Sequence, residues 1–376
     1  MASPLPSAGP SLNTSANTTN EDITEILLNK LRGKKVVIPS LFSIFVGWPH
    51  EVNASYPRLK VAVENKLSKL LPSENLRNKV RDADPAMVVS MFWPHVDYSQ
   101  LRILCYMVIW QGIFDDLVEL YNRRDPQQSV MLRRDMKMFI NKSLGIGAYP
   151  NLPETFCELS FAKNFLVVAD AVWSTYNEEQ RRRLRDCMHQ YIDATAEEKV
   201  MIEAGRTPQW LEYWELRARV GGVGPLIGML EFAAGGYLPA HFIESTEYKT
   251  ACKSLDIIVS MTNDLVSVKK EIKAGFVFSA LPILYSGLAN GRMDMAVDHV
   301  TFRIKEAAAS LGQALDTLSV RFSSRNVGPE TSNIAKRVIL SFRHIATGSL
   351  FWSLQCKRYG MAEHLMEDDS LEFTLE

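Results

Sequence analysis

From about residue 22 to residue 357, apolar side chains recur every three to four positions and almost never alternate. That period belongs to amphipathic helices rather than half-buried strands, so it constrains the chain to an all-α fold. The pattern predicts helices near 22–33, 59–72, 97–122, 126–142, 154–175, 178–204, 208–219, 222–234, 248–273, 292–323 and 330–357. Residues that start or stop helices sit at their ends: Pro153, Pro208, Pro239, the NEEQ run from Asn177 and the GPE run from Gly328. The segment 34–58, with Pro39, Pro49 and Pro57, reads as an irregular loop. No interior stretch has linker composition, and no repeat of a helical-solenoid period occurs. One helical domain over 22–360 is expected. A Ser-, Pro-, Asn- and Thr-rich disordered tail (1–21) precedes it, and an acidic, frayed tail (361–376) with solvated Glu367, Asp368 and Asp369 follows.

Bulk properties exclude several classes. Hydrophobic residues make up 47% and charged residues 23%, enough to build a sizeable core. A net charge of −1 gives no basic footprint for nucleic acid or anionic membranes. The five cysteines are scattered and never in CxxC spacing, so buried free thiols in a reducing compartment are expected. The seven histidines are equally dispersed without HExxH, and Cys/His metal chemistry is not expected. The N-terminus has neither a basic start nor an apolar core, and the longest apolar runs fall short of a membrane span. A cytoplasmic protein is the expectation.

Two polar clusters interrupt the apolar pattern. In TNDLVSVKKEI, Asn263, Ser267 and Glu271 are four residues apart, which places them within an arc of roughly 80° on a helix. They border an apolar stripe of Ile257, Ile258, Met261, Leu265, Val268 and Ile272. Amide, hydroxyl and carboxylate oxygens in one row suit a hard cation such as Mg²⁺. Upstream, YMVIWQGIFDDLVELY ends an apolar helix with Asp115, Asp116 and Glu119. Asp115 and Glu119 are an i,i+4 pair, and three crowded carboxylates repel unless a cation neutralises them. Facing each other across a bundle, the clusters could hold several Mg²⁺ ions, which would clamp a highly charged anion such as a diphosphate.

These residues resemble the class I terpene synthases, single helical domains with a DDxx(D/E) motif and a later NDxxSxxxE motif. Here the first reads DDLVE, with the rarer Glu ending, and the second reads NDLVSVKKE without a mismatch. The resemblance runs from about residue 85 to 360 and includes FWPHVDYSQLRI and WSLQCKRYG. It implies a helical bundle around a central cavity. Asp115, Asp116 and Glu119 would form one set of metal ligands and Asn263, Ser267 and Glu271 another, around three Mg²⁺ ions. It implies that Arg217, 46 residues before Asn263, senses the diphosphate. Val220 is then the linker and Gly221 the effector carbonyl at a helix break. Many relatives carry adjacent arginines there, whereas this chain has Arg217 and Arg219 around Ala218. Arg358 and Tyr359 match the RY pair, and Lys270 the lysine before the last motif residue. Catalytic roles fall to Arg217, Gly221 and Tyr359, and diphosphate binding to Arg217, Lys270, Arg358 and Tyr359.

The implied reaction is Mg²⁺-dependent ionisation of farnesyl diphosphate and cyclisation to a sesquiterpene hydrocarbon or alcohol. A carbocation pocket should be apolar and aromatic; Phe92, Trp93, Trp110, Phe114 and Trp352 are the candidate walls. The partner is then a small isoprenyl diphosphate, with a homodimer as the assembly considered. Alternatives are a chain-elongating prenyltransferase, a cyclase for ten- or twenty-carbon diphosphates, and a non-catalytic helical scaffold.

Overall fold

The computed structural model describes residues 20–71, 73–147, 160–204 and 206–376. The expected disordered tail lies outside the described residues up to position 19, as does the start of the helix expected at 154–175. Within the described residues the chain is helical, as the period implied.

Two long helices carry the polar clusters. Tyr98–Arg124 starts where Asp97 accepts from the Gln100 amide at 2.9 Å, satisfying one of its free N–H groups. It ends at Asp125, which caps the next helix, Pro126–Ser143, whose first-turn proline needs no donor. Thr246–Lys273 is capped by Ser245 and is nearly encased, because its apolar stripe faces neighbours on several sides. It packs against Met293–Arg321, Pro329–Gln355, Trp210–Val220 and Ala280–Ser286. Tyr98–Arg124 packs against Pro126–Ser143, Ser160–Thr175 and Pro85–Phe92.

Among the described residues, four α-helices escape the periodicity reading: Glu74–Ala83, Pro85–Phe92, the single-turn Ala240–Ile243 and Ala280–Ser286. Glu74–Ala83 buries no residue and so shows no apolar stripe. Pro85–Phe92 and Ala280–Ser286 are short apolar runs, in which period 2 and period 3.6 cannot be distinguished. The helix expected over 222–234 is two short ones, Val223–Ile227 and Leu230–Ala234.

The C-terminal tail corrects the expectation of a frayed end. Leu371–Thr374 pairs antiparallel with Lys35–Ile38, inside the segment expected to be an irregular loop. Val36, Ile38, Leu371, Phe373 and Leu375 are all buried, while Lys35 and Glu372 form an ion pair at 2.5 Å on the outer face. The alternation in LEFTL explains the pairing: its period of two puts every second side chain into the core. Glu367, Asp368 and Asp369 do stand exposed, as expected. Glu376 reaches Lys273 at 3.4 Å and Lys269 lies 2.9 Å from His364, so the tail is tied to the end of the Thr246–Lys273 helix.

Candidate active site

A cavity of about 620 Å³ lies between these helices. Along Tyr98–Arg124 its wall runs from Val108, Ile109 and Gly112 to Asp115, Asp116 and Glu119. Along Thr246–Lys273 it runs from Val259 and Ser260 to Asn263, Ser267, Lys270 and Glu271. Both helices are therefore apolar at one end and charged at the other, and their charged ends meet at one rim. Arg217, Gly221, Trp352, Arg358 and Tyr359 complete that wall.

The rim is hydrogen-bonded in advance. Arg217 donates to Asn263 Oδ1 at 2.9 Å and to Asp264 Oδ1 at 2.9 Å. The Asn263 amide donates in turn to the Tyr359 hydroxyl at 2.7 Å. Lys270 lies 5.6 Å from the Tyr359 ring centre, a cation–π distance, and Trp352 meets that ring edge-on at 5.6 Å. Ser267 Oγ donates to Glu271 Oε1 at 2.7 Å, while Glu271 Oε2 is buried with no hydrogen-bond partner. A buried carboxylate oxygen left unpaired is costly, and a cation would satisfy it.

The acidic side behaves alike. Asp115 is accessible on the cavity wall yet densely surrounded by the protein, and it accepts from the Tyr191 hydroxyl at 3.2 Å. Depth, then the charges of Asp116 and Glu119, push its pKa up. Glu198, also on the wall, is pushed up to about 7 by burial and by Asp115. Excess negative charge with oxygen-only donors fits divalent hard cations, which such a set would hold. Glu119, exposed at the edge of the wall, pairs with Arg123 at 2.6 Å.

The break after Val220 is dictated by space. A Cβ on Gly221 would fall 2.2 Å from Ser260 Oγ. Gly222 adopts φ 77° and its carbonyl accepts from Gln111 at 2.8 Å. Of the two nearby arginines, Arg217 lines the cavity with its side chain 15% exposed. Arg219 is on the outside, paired with Glu197 at 2.5 Å.

Residues 106–310, more than half of the chain, match the family model of terpene synthase family 2, C-terminal metal binding. The chain belongs to this family. The synthase is 25% identical to a sesquiterpene cyclase of Aspergillus oryzae over 89% of its own length and 91% of that protein. It is 23% identical to silphinene synthase of Penicillium patulum, covering 91% and 90% of the two chains. In fold it is similar to germacradien-4-ol synthase from Streptomyces citricolor (TM-score 0.68, 16% identity, 82% of this chain and 96% of that one). A hedycaryol synthase is as similar, with TM-score 0.68, 15% identity and coverage of 82% and 96%. Family membership brings divalent-metal binding with it. No helix among the synthase's described residues is long and apolar enough to cross a membrane.

The aromatic expectation needs correction. Phe92 and Trp352 line the cavity of the synthase; Trp93, Trp110 and Phe114 do not. Trp110 and Phe114 lie about 200° round the helix from Val108 and Gly112, so they point into the core behind the wall. There Trp110 stacks on Phe114 at 5.7 Å and tilts against Phe165 at 5.4 Å. Phe114 in turn braces Tyr191, at 6.0 Å, the residue that bonds Asp115.

Sequence reasoning missed Tyr191, Glu198, Gln111 and Ser260, each on the cavity wall. Only Glu198 carried a signal, as an acid in a helix expected to have a buried face. Asp264, inside the second motif, is held by Tyr213, Arg217 and the Ala280 amide (3.2 Å), so it orients Arg217.

Proposed function

We propose that the synthase is a sesquiterpene cyclase, releasing diphosphate from farnesyl diphosphate and closing the chain to a cyclic hydrocarbon or alcohol. The observation that carries this reading is the polarity of one cavity: an anion-binding rim above an apolar floor. Three Mg²⁺ ions held by Asp115, Asp116, Glu119, Asn263, Ser267 and Glu271 would supply the Lewis-acid pull on the diphosphate. Arg217, Lys270, Arg358 and Tyr359 donate to the diphosphate oxygens, Arg217 from Nη1, the guanidinium nitrogen that neither Asn263 nor Asp264 engages. Gly221 lies on the cavity wall, where its carbonyl would meet the developing positive charge. Phe92 and Trp352 offer ring faces to the cation, and Val88, Val108, Ile109 and Leu226 leave water no hydrogen-bonding partner on the floor.

Relatives named for sesquiterpene products, at 22 to 25% identity, support the fifteen-carbon substrate. Chain elongation fits less well: Asp264, the remaining acid of the second motif, is sequestered by Tyr213 and Arg217. Incubation with ten-, fifteen- and twenty-carbon diphosphates and Mg²⁺, read by gas chromatography–mass spectrometry, tests the proposal. Cyclic fifteen-carbon products are expected; longer prenyl diphosphates as products would overturn it.

A further inference from the structure

Away from the cavity wall, the fold gathers groups that the sequence leaves far apart. His344 lies on the Pro329–Gln355 helix, 1% exposed, and neither of its ring nitrogens has a hydrogen-bond partner. A neutral imidazole carries one donor and one acceptor, so leaving both unpaired in the interior is unusual. Two exposed residues on separate loops cover it. His95 meets the His344 ring edge-on, with centres 5.4 Å apart, and its Nε2 lies 3.1 Å from Glu51 Oε2. One ligand atom from each of Glu51, His95 and His344 falls within 4.8 Å of the others.

The loops that present these ligands are pinned. Asn53, two residues after Glu51, donates to Trp93 O at 3.1 Å and to Val96 O at 2.9 Å, bracketing His95. Thr347, one turn after His344, donates to Pro49 O at 2.6 Å, two residues before Glu51. The cluster is also distinct from the rim. His95 precedes the Tyr98–Arg124 helix, and the rise from its start to Asp115 is roughly 25 Å.

We propose that Glu51, His95 and His344 bind one Zn²⁺ ion that ties three segments of the chain together, with water as the fourth ligand. Two imidazoles and one carboxylate suit a borderline cation such as Zn²⁺ rather than Mg²⁺, which favours oxygen alone. Bonds of about 2.0–2.1 Å at tetrahedral angles bring ligand atoms to about 3.3–3.5 Å from one another. The exposed side chains of Glu51 and His95 are free to close that gap, while buried His344 stays fixed. Coordination takes up one orphaned nitrogen of His344 and ties both loops to the Pro329–Gln355 helix. Because His95 follows Phe92 by three residues, the ion would clamp the cavity floor without touching the reacting atoms.

Co²⁺ is a visible probe of this site, since four-coordinate nitrogen-ligated Co²⁺ absorbs far more strongly than octahedral oxygen-ligated Co²⁺. Full-length protein saturated with Mg²⁺ is titrated with Co²⁺, and separately melted with and without Zn²⁺. The wild type should take up one equivalent of Co²⁺ with an intense visible band. Zn²⁺ at a hundredfold excess over Kd should raise Tm by roughly 3–5 °C. Glu51→Ala and His95→Ala, both at exposed positions, should lose band and shift while keeping Mg²⁺-dependent diphosphate release. A band or shift that survives in either variant, or is missing from the wild type, overturns the proposal.

Discussion

Arg217 donates to Asn263 Oδ1 across 2.9 Å, joining an arginine and an amide that lie 46 positions apart in the chain. An amide oxygen has two lone pairs, so Asn263 can keep this bond while its other lone pair meets a cation. The two halves of the rim, one built for the anion and one for the metal, are thereby set in register before any substrate arrives.

That bond needs the guanidinium fork, because Arg217 also spans to Asp264 at 2.8 Å. Arg217→Lys keeps the charge and loses the second contact, so kcat should fall on the order of 10²-fold. Arg219→Lys, at the exposed pair with Glu197, should change kcat less than about twofold. Steady-state diphosphate release measures both, and the reverse order would move the sensing role to Arg219.

Asp115→Ala and Asn263→Ala each remove an oxygen donor from the rim. Diphosphate release should drop by on the order of 10³-fold in either variant, with far-ultraviolet circular dichroism unchanged. Chelation of divalent cations should do the same to the wild type. A folded variant that retains full turnover would contradict the two-cluster reading.

Phe92 and Trp352 should govern product identity, and Trp110 should govern stability. Replacing either wall residue with Leu keeps bulk and removes the ring quadrupole, so products should shift towards acyclic or early-quenched species while diphosphate is still released. Trp110→Leu should leave product ratios fixed and cost about 2–3 kcal/mol of stability. Product profiles and urea melts on the same three proteins separate the roles.

Burial raises the pKa of Asp256 to about 8, and its Oδ1 has no hydrogen-bond partner. In the unfolded chain this carboxyl ionises near 4, so between about pH 4 and 8 the folded state binds the extra proton and stability falls as pH rises. Asp256→Asn removes that dependence. Its gain over wild type should be small at pH 5 and reach about 1–3 kcal/mol by pH 8, read by urea denaturation. An equal gain at both values would show that Asp256 does not titrate in this range.

Phe373 is buried in the strand pairing, opposite Val36. Phe373→Ala should cost about 3 kcal/mol, whereas Glu367→Ala, on the exposed acidic run, should be neutral within about 0.5 kcal/mol. Equal effects would mean that the tail contributes no packing.

The sequence by itself determined the helical class, because a period of 3.6 sustained over 300 positions leaves little else. It also determined which side chains share a face: spacing alone put Asn263, Ser267 and Glu271 in one row and Asp115 beside Glu119. Those relationships lie within single helices, whose geometry is fixed by the backbone. The C-terminal strand was legible too, in the alternation of LEFTL, but its acidic neighbours Glu367 to Asp369 obscured it. Only the tertiary structure decided which way each helix is turned about its axis. That rotation put Trp110 and Phe114 behind the wall while Phe92 and Trp352 line it, and separated Arg217 from Arg219. It also brought Glu51, His95 and His344 together across almost 300 positions. A helix rotates as a rigid body, and its angle is set by packing against several neighbours at once, which no local spacing encodes.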